Sequence, residues 1–142
     1  MSGYRRILVA TDGSPTSQRA VTEAAKLAKA NSGRLILLYV ANTAAQGASA
    51  KFWENVKRAF IEEGQVALKA AEAVADEVGV PLKSRLEEGY PSEKIVEIAE
   101  AEDADLIVMG SRGRSKLAEI FLGSVASRVI ASARCPVLVV RE

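Results

Sequence analysis

Four short stretches of this chain carry almost nothing but aliphatic side chains: Ile7-Leu8-Val9, Leu35 to Val40, Leu106 to Met109 and Val137 to Val140. None of them alternates apolar with polar residues, so each reads as a strand buried on both faces, which is the signature of a parallel sheet interior. Between the stretches the apolar positions recur at helical spacing. Ser14-Pro15 supplies an N-cap and a first helical residue, and Ala20, Val21, Ala24, Ala25, Leu27 and Ala28 then form one stripe that runs out at Gly33. From Lys51 to Val78 a longer stripe passes through Trp53, Val56, Phe60, Ala67, Ala71 and Val74; Phe52 and Trp53 read as packing residues rather than a base-stacking platform. Gly64 falls inside that helix and marks a bend or break, since glycine costs about 1 kcal/mol there relative to alanine.

Gly79-Val80-Pro81 stops the long helix, and Leu82 to Glu87 sets Leu, Ser and Leu against Lys, Arg and Glu, as an edge strand with one wet face does. Gly89-Tyr90-Pro91 opens a further helix with Ile95, Ile98 and Ala99 on its apolar side, and Val125, Ala126, Val129, Ile130 and Ala133 mark the last one. Ala41 to Ala50 has neither periodicity and reads as a loop. Strands alternating with helices require crossovers between parallel neighbours, so the expectation is an α/β fold. It is a single doubly wound domain over residues 1–142, with a five-stranded parallel sheet and helices on both faces.

Composition narrows the chemistry. A formal net charge of +1 in 142 residues gives no general surface for nucleic acid or anionic membrane, so any anion site must be local. There is no histidine, which removes serine and cysteine triads that depend on imidazole, together with the commonest transition-metal ligand. The single cysteine, Cys135, cannot form an intramolecular disulfide and reads as a packed structural thiol. No apolar stretch is long enough to span a bilayer, and polar Thr11-Asp12 comes too early for a signal peptide, so a cytoplasmic protein is expected. The acidic groups Glu62-Glu63 and Glu100 to Asp105 read as solvated helix faces.

One stretch remains that suits a ligand. The strand Leu106 to Met109 runs into Gly110-x2-Gly113-x9-Gly123-Ser124, and the last pair opens a helix, with Ser124 at the N-cap or in the first turn. Glycines let backbone approach a ligand, and a helix start offers unpaired N–H groups, which together suit a polyphosphate; Arg112, Arg114 and Lys116 add positive charge. There is no Gly-x4-Gly-Lys-Ser/Thr loop of the P-loop type.

Residues 105–141, with this glycine spacing, resemble the C-terminal half of the universal stress protein family in its ATP-binding branch, and Arg6-Ile-Leu-Val-Ala-Thr-Asp-Gly-Ser resembles that family's first strand and acidic turn. The likeness spans nearly the whole chain and is weakest from Ala41 to Gly64. It implies a strand order of 3-2-1-4-5, which puts the reversal of winding between the first and fourth strands, where such sheets bind ligands. It further implies ATP, with magnesium accompanying the triphosphate. Asp12 and backbone at Ala10, Thr11 and Val40 would meet the nucleoside, and Met109, Gly110, Arg112, Gly113, Gly123, Ser124 and Val125 would surround ribose and phosphates. Ala10 stands where relatives often carry proline, and Val125 is equally well a core residue.

No general base accompanies the phosphates, so slow or absent hydrolysis is expected, with the nucleotide regulating shape or affinity for an unnamed protein partner. A homodimer through residues 137–141 is also implied. Two other readings stay open: an ATP-using enzyme, either a slow ATPase or an adenylyl-transfer domain, and a nucleotide-free interaction module. Adenylyl transfer needs a Ser-Gly-Gly-x-Asp-Ser type loop, which the chain lacks, and the intact glycine spacing argues against the module.

Overall fold

The computed structural model describes residues 3–43, 50–111 and 122–141. In chain order these form β1 (Arg6–Ala10), α1 (Pro15–Ala30), β2 (Arg34–Ala41), α2 (Ala50–Val78), β3 (Leu82–Glu88), α3 (Pro91–Ala101), β4 (Leu106–Gly110), α4 (Ser124–Ser132) and β5 (Val137–Val140). The strands pair in parallel in the order β3-β2-β1-β4-β5, as the resemblance implies.

The strand composition explains the layering. In β1, Ile7 and Val9 pack with Ala20, Val21, Ala24 and Ala25 of α1 and Ala67, Ala71 and Ala75 of α2, while Leu8 between them packs with Ile95 and Ile98 of α3 and Val129 of α4. A strand that buries every residue needs apolar side chains at odd and even positions alike, hence the unbroken runs. Leu8 and Ile107 are wholly buried, each contributing about 1.5–3 kcal/mol of transfer free energy. Right-handed crossovers put α1 and α2 on one face and, after the order reverses, α3 and α4 on the other.

Helix starts follow local chemistry. Ser14 caps α1 by accepting the Ser17 N–H at 3.2 Å, and Pro15 occupies the first turn. At the other end Asn31 is the cap, and the Gly33 N–H returns to the Ala28 carbonyl at 2.8 Å. Of the bend or break expected at Gly64, the break does not occur: α2 runs on from Ala50 to Val78. A β-carbon there would lie 2.6 Å from Cδ1 of Tyr39 and 2.9 Å from Cδ1 of Leu86, so the glycine lets the helix lie close to the sheet.

The acidic cluster is also more than a solvated face. Glu102 binds Lys83 at 2.8 Å and Arg85 at 2.7 Å across the α3 side of β3, and Asp105 accepts the backbone N–H groups of Arg5 and Arg6. The carboxylate is drawn in by these bonds, its side chain only 15% exposed, while Lys83 stays open to solvent at 58%. No described helix is long and apolar enough to cross a membrane.

Candidate functional site

The carboxyl end of the sheet opens between its two central strands. Pairing of β1 with β4 runs from Ile7↔Leu106 to Val9↔Val108. Beyond that point β1 stays with β2, through Ala10↔Leu38 and a Thr11 N–H to Leu38 carbonyl bond of 2.9 Å. In the same way β4 stays with β5, through Gly110↔Val140 and a Ser111 N–H to Val140 carbonyl bond of 2.8 Å. The two strands therefore part where the direction of winding reverses, the place at which open α/β sheets receive ligands.

On the β1 side the chain turns at once into α1. The Asp12 carboxylate accepts the Ser14 N–H through Oδ1 at 2.9 Å, an Asx turn, and Gly13 takes a φ of 83°, which residues other than glycine adopt at a cost. Thr11 is buried and Asp12 half-buried. Beneath them, Thr11 Oγ1 and Ser17 Oγ lie 3.1 Å apart, Thr11 Oγ1 accepts the Gly13 N–H at 3.2 Å, and Ser17 Oγ accepts the Asp12 N–H at 3.3 Å. Thr11 and Asp12 were legible in the sequence as ends of the strand. Ser17 was not, since its position in the first turn of α1 gives no hint that its hydroxyl reaches back under the turn.

On the β4 side Gly110 is buried against α1: a β-carbon on it would come within 2.8 Å of Thr16 Cγ2. Its lack of a side chain thus serves the packing of β4 beside the start of α1. Gly123 is the N-cap residue of α4, and its N–H donates to the Ser111 carbonyl at 2.7 Å, drawing together the two ends of the intervening stretch. Ser124 is the first helical residue, exposed, and α4 has no side-chain cap. Arg112 and Gly113, with Arg114 and Lys116, lie outside the described residues.

The four remaining expected residues belong to one apolar cluster. Met109 is buried in the cluster that joins the sheet to α3 and α4, and Ala10, Val40 and Val125 pack on the same cluster while staying half-buried. A concavity of about 440 Å³ opens between α1 and α2, bounded by Gly13, Gln18, Ala59, Glu62, Glu63 and Val66. Its two carboxylates suit a polyphosphate poorly. Among the described residues no group of three or more acidic or thiol side chains is placed to hold a metal ion. Burial raises the Cys135 thiol above its ordinary pKa, with the Asp105 charge adding to the effect, so it stays protonated and packed.

Residues 3–141 match the model of the universal stress protein family. A universal stress protein of Methanocaldococcus jannaschii is 42% identical, over 98% of this chain and 83% of its own length. Among solved structures, a universal stress protein from Lactobacillus plantarum superposes with a TM-score of 0.90 at 30% identity, covering 99% of this chain and 100% of that one. A universal stress protein in complex with cAMP superposes with a TM-score of 0.72 at 31% identity, covering 98% of each chain.

Proposed function

The chain belongs to the universal stress protein family, and from that premise we propose that it binds ATP in the crevice between β1 and β4 and acts as a nucleotide-dependent regulatory module in a stress response. The observation that carries this reading is the parting of β1 and β4 at the topological switch point, with Ala10, at the end of β1, left half-buried. The solved relative with cAMP supports an adenine nucleotide as the ligand class. In this reading backbone at Ala10, Thr11 and Val40 meets the nucleoside, Asp12 takes its polar edge, and Met109 and Val125 stand beside the ribose and phosphates. Gly110, Arg112, Gly113, Gly123 and Ser124 carry the phosphates, where glycine spacing and the start of α4 suit negative charge. Magnesium fits beside the triphosphate, held by phosphate oxygens and a serine hydroxyl. A homodimer paired through β5 completes the proposal.

Hydrolysis is slow or absent. The carboxylate at the crevice, Asp12, is turned back onto the Ser14 amide, and the chain has no histidine to take a proton. Phosphate release with ATP and magnesium should fall far below the enzyme median of about 10 per second. Steady fast release abolished by one crevice substitution would make the enzyme reading the better one.

The ligand is tested by heat-denaturing the purified protein and identifying released nucleotide by mass spectrometry, with calorimetric titration of ATP alongside. Gly113→Val should weaken ATP binding at least about tenfold in a folded variant by pushing side-chain atoms into the phosphates. Unchanged affinity would take the glycine stretch out of the site.

A further inference from the structure

The hydroxyl of Ser17 has a use that its helix does not require. Capping of α1 runs through the Ser17 backbone N–H, which any residue but proline supplies, to Ser14 Oγ. The Ser14 carbonyl, which Ser17 Oγ reaches at 2.9 Å, already receives the Gln18 N–H at 3.0 Å in the ordinary helical ladder. Two other contacts are left to explain the hydroxyl. With its hydrogen given to Ser14, Ser17 Oγ accepts from the Asp12 N–H at 3.3 Å and from Thr11 Oγ1 at 3.1 Å, which uses both lone pairs. Thr11 Oγ1 in turn accepts the Gly13 N–H at 3.2 Å. Two successive amides of the turn are thus held from beneath by two hydroxyls, both on residues at most 5% exposed. The Asp12 carboxylate projects from the backbone they hold.

We propose that Ser17 is a positioning residue of the crevice, which acts through the Asp12 amide and Thr11 to set the Asp12 carboxylate for the nucleoside of a bound nucleotide. The proposal rests on the nucleotide reading above. Its mechanism is preorganisation: without the hydroxyl the Asp12 amide loses its acceptor, the turn samples other conformations, and the ligand must fix the carboxylate on arrival. None of the hydrogen bonds of Ser17 goes to Gly110, Gly123 or Ser124, the described residues assigned to the phosphates.

Calorimetric titration of ATP and of inorganic triphosphate into the wild type, Ser17→Ala, Asp12→Ala and the double variant tests this. Ser17→Ala should weaken ATP about tenfold and triphosphate less than about twofold. In the double variant the loss for ATP should be no greater than for Asp12→Ala alone, because both act through one carboxylate. A structural role only would instead weaken both ligands together and add to the Asp12 loss; either result, or unchanged ATP affinity, overturns the proposal. Should Ser17→Ala fail to fold, Thr11→Val, near-isosteric and lacking the same hydroxyl network, must show the same split between ligands, and its absence is equally decisive. A wild type that binds no ATP removes the nucleotide reading itself, and the positioning role with it.

Discussion

At Gly64 an absent side chain decides how closely α2 lies on the sheet. Alanine would gain about 1 kcal/mol in helix propensity, but its methyl would press on the Tyr39 ring, which is 5% exposed and hemmed in by the core. Overpacking of this kind costs about 1–3 kcal/mol, so Gly64→Ala should lower the urea-unfolding free energy by about 1 kcal/mol net. A variant as stable as the wild type would mean that the ring yields freely. The residue was legible as an anomaly in a helical stripe, but its cause was not, because the partners that crowd it sit 25 positions before and 22 after it on two other elements. Thr11 and Asp12 are the opposite case. They follow an apolar run directly, and the run itself announces that they stand at a strand's carboxyl end. Gly110 lies between the two: its place at the strand end was readable, its contact with Thr16 was not.

Strands and helices were readable wherever burial is one-sided or complete, since periodicity reports the environment of successive side chains. The ion pairs across β3 were hidden, because Glu102 meets Lys83 and Arg85 only after α3 has crossed the sheet. That network has a pH signature. Hydrogen bonds from Lys83 and then Arg85 hold the Glu102 carboxyl below the ordinary glutamate value, and the bond to Glu102 is the foremost of the effects that raise Arg85. A carboxylate whose pKa is depressed by folding contributes stability that is fully present above its unfolded pKa of about 4.3 and is lost as pH falls through the folded value. Glu102→Gln should therefore cost about 1 kcal/mol near neutral pH, in keeping with a largely surface network, and the two unfolding curves should converge in acid. A gap that stayed constant with pH would assign the loss to packing rather than charge.

The whole molecule presents two sheet edges of unlike character. At one, β3 carries Lys83, Arg85 and Glu87 on its α3 face, and charges of this kind discourage a second strand from docking. At the other, β5 is Val-Leu-Val-Val, hydrogen-bonded on its inner side to β4, with Leu138 38% exposed. The outer row of N–H and C=O groups on β5 can be satisfied in a dry setting by an identical strand running antiparallel, and a two-fold axis through the edge makes the contact self-complementary. Pro136 donates no hydrogen bond and limits the ladder on its N-terminal side. We therefore expect a homodimer through residues 137–141, seen as a concentration-dependent mass in sedimentation equilibrium. Leu138→Lys puts a charge into that seam while altering a side chain already open to solvent, so the monomer's unfolding free energy should change by less than about 1 kcal/mol as dimerisation weakens at least about tenfold. A wild type that stays monomeric well above micromolar concentration, or a Leu138→Lys variant that dimerises as before, would put the interface elsewhere.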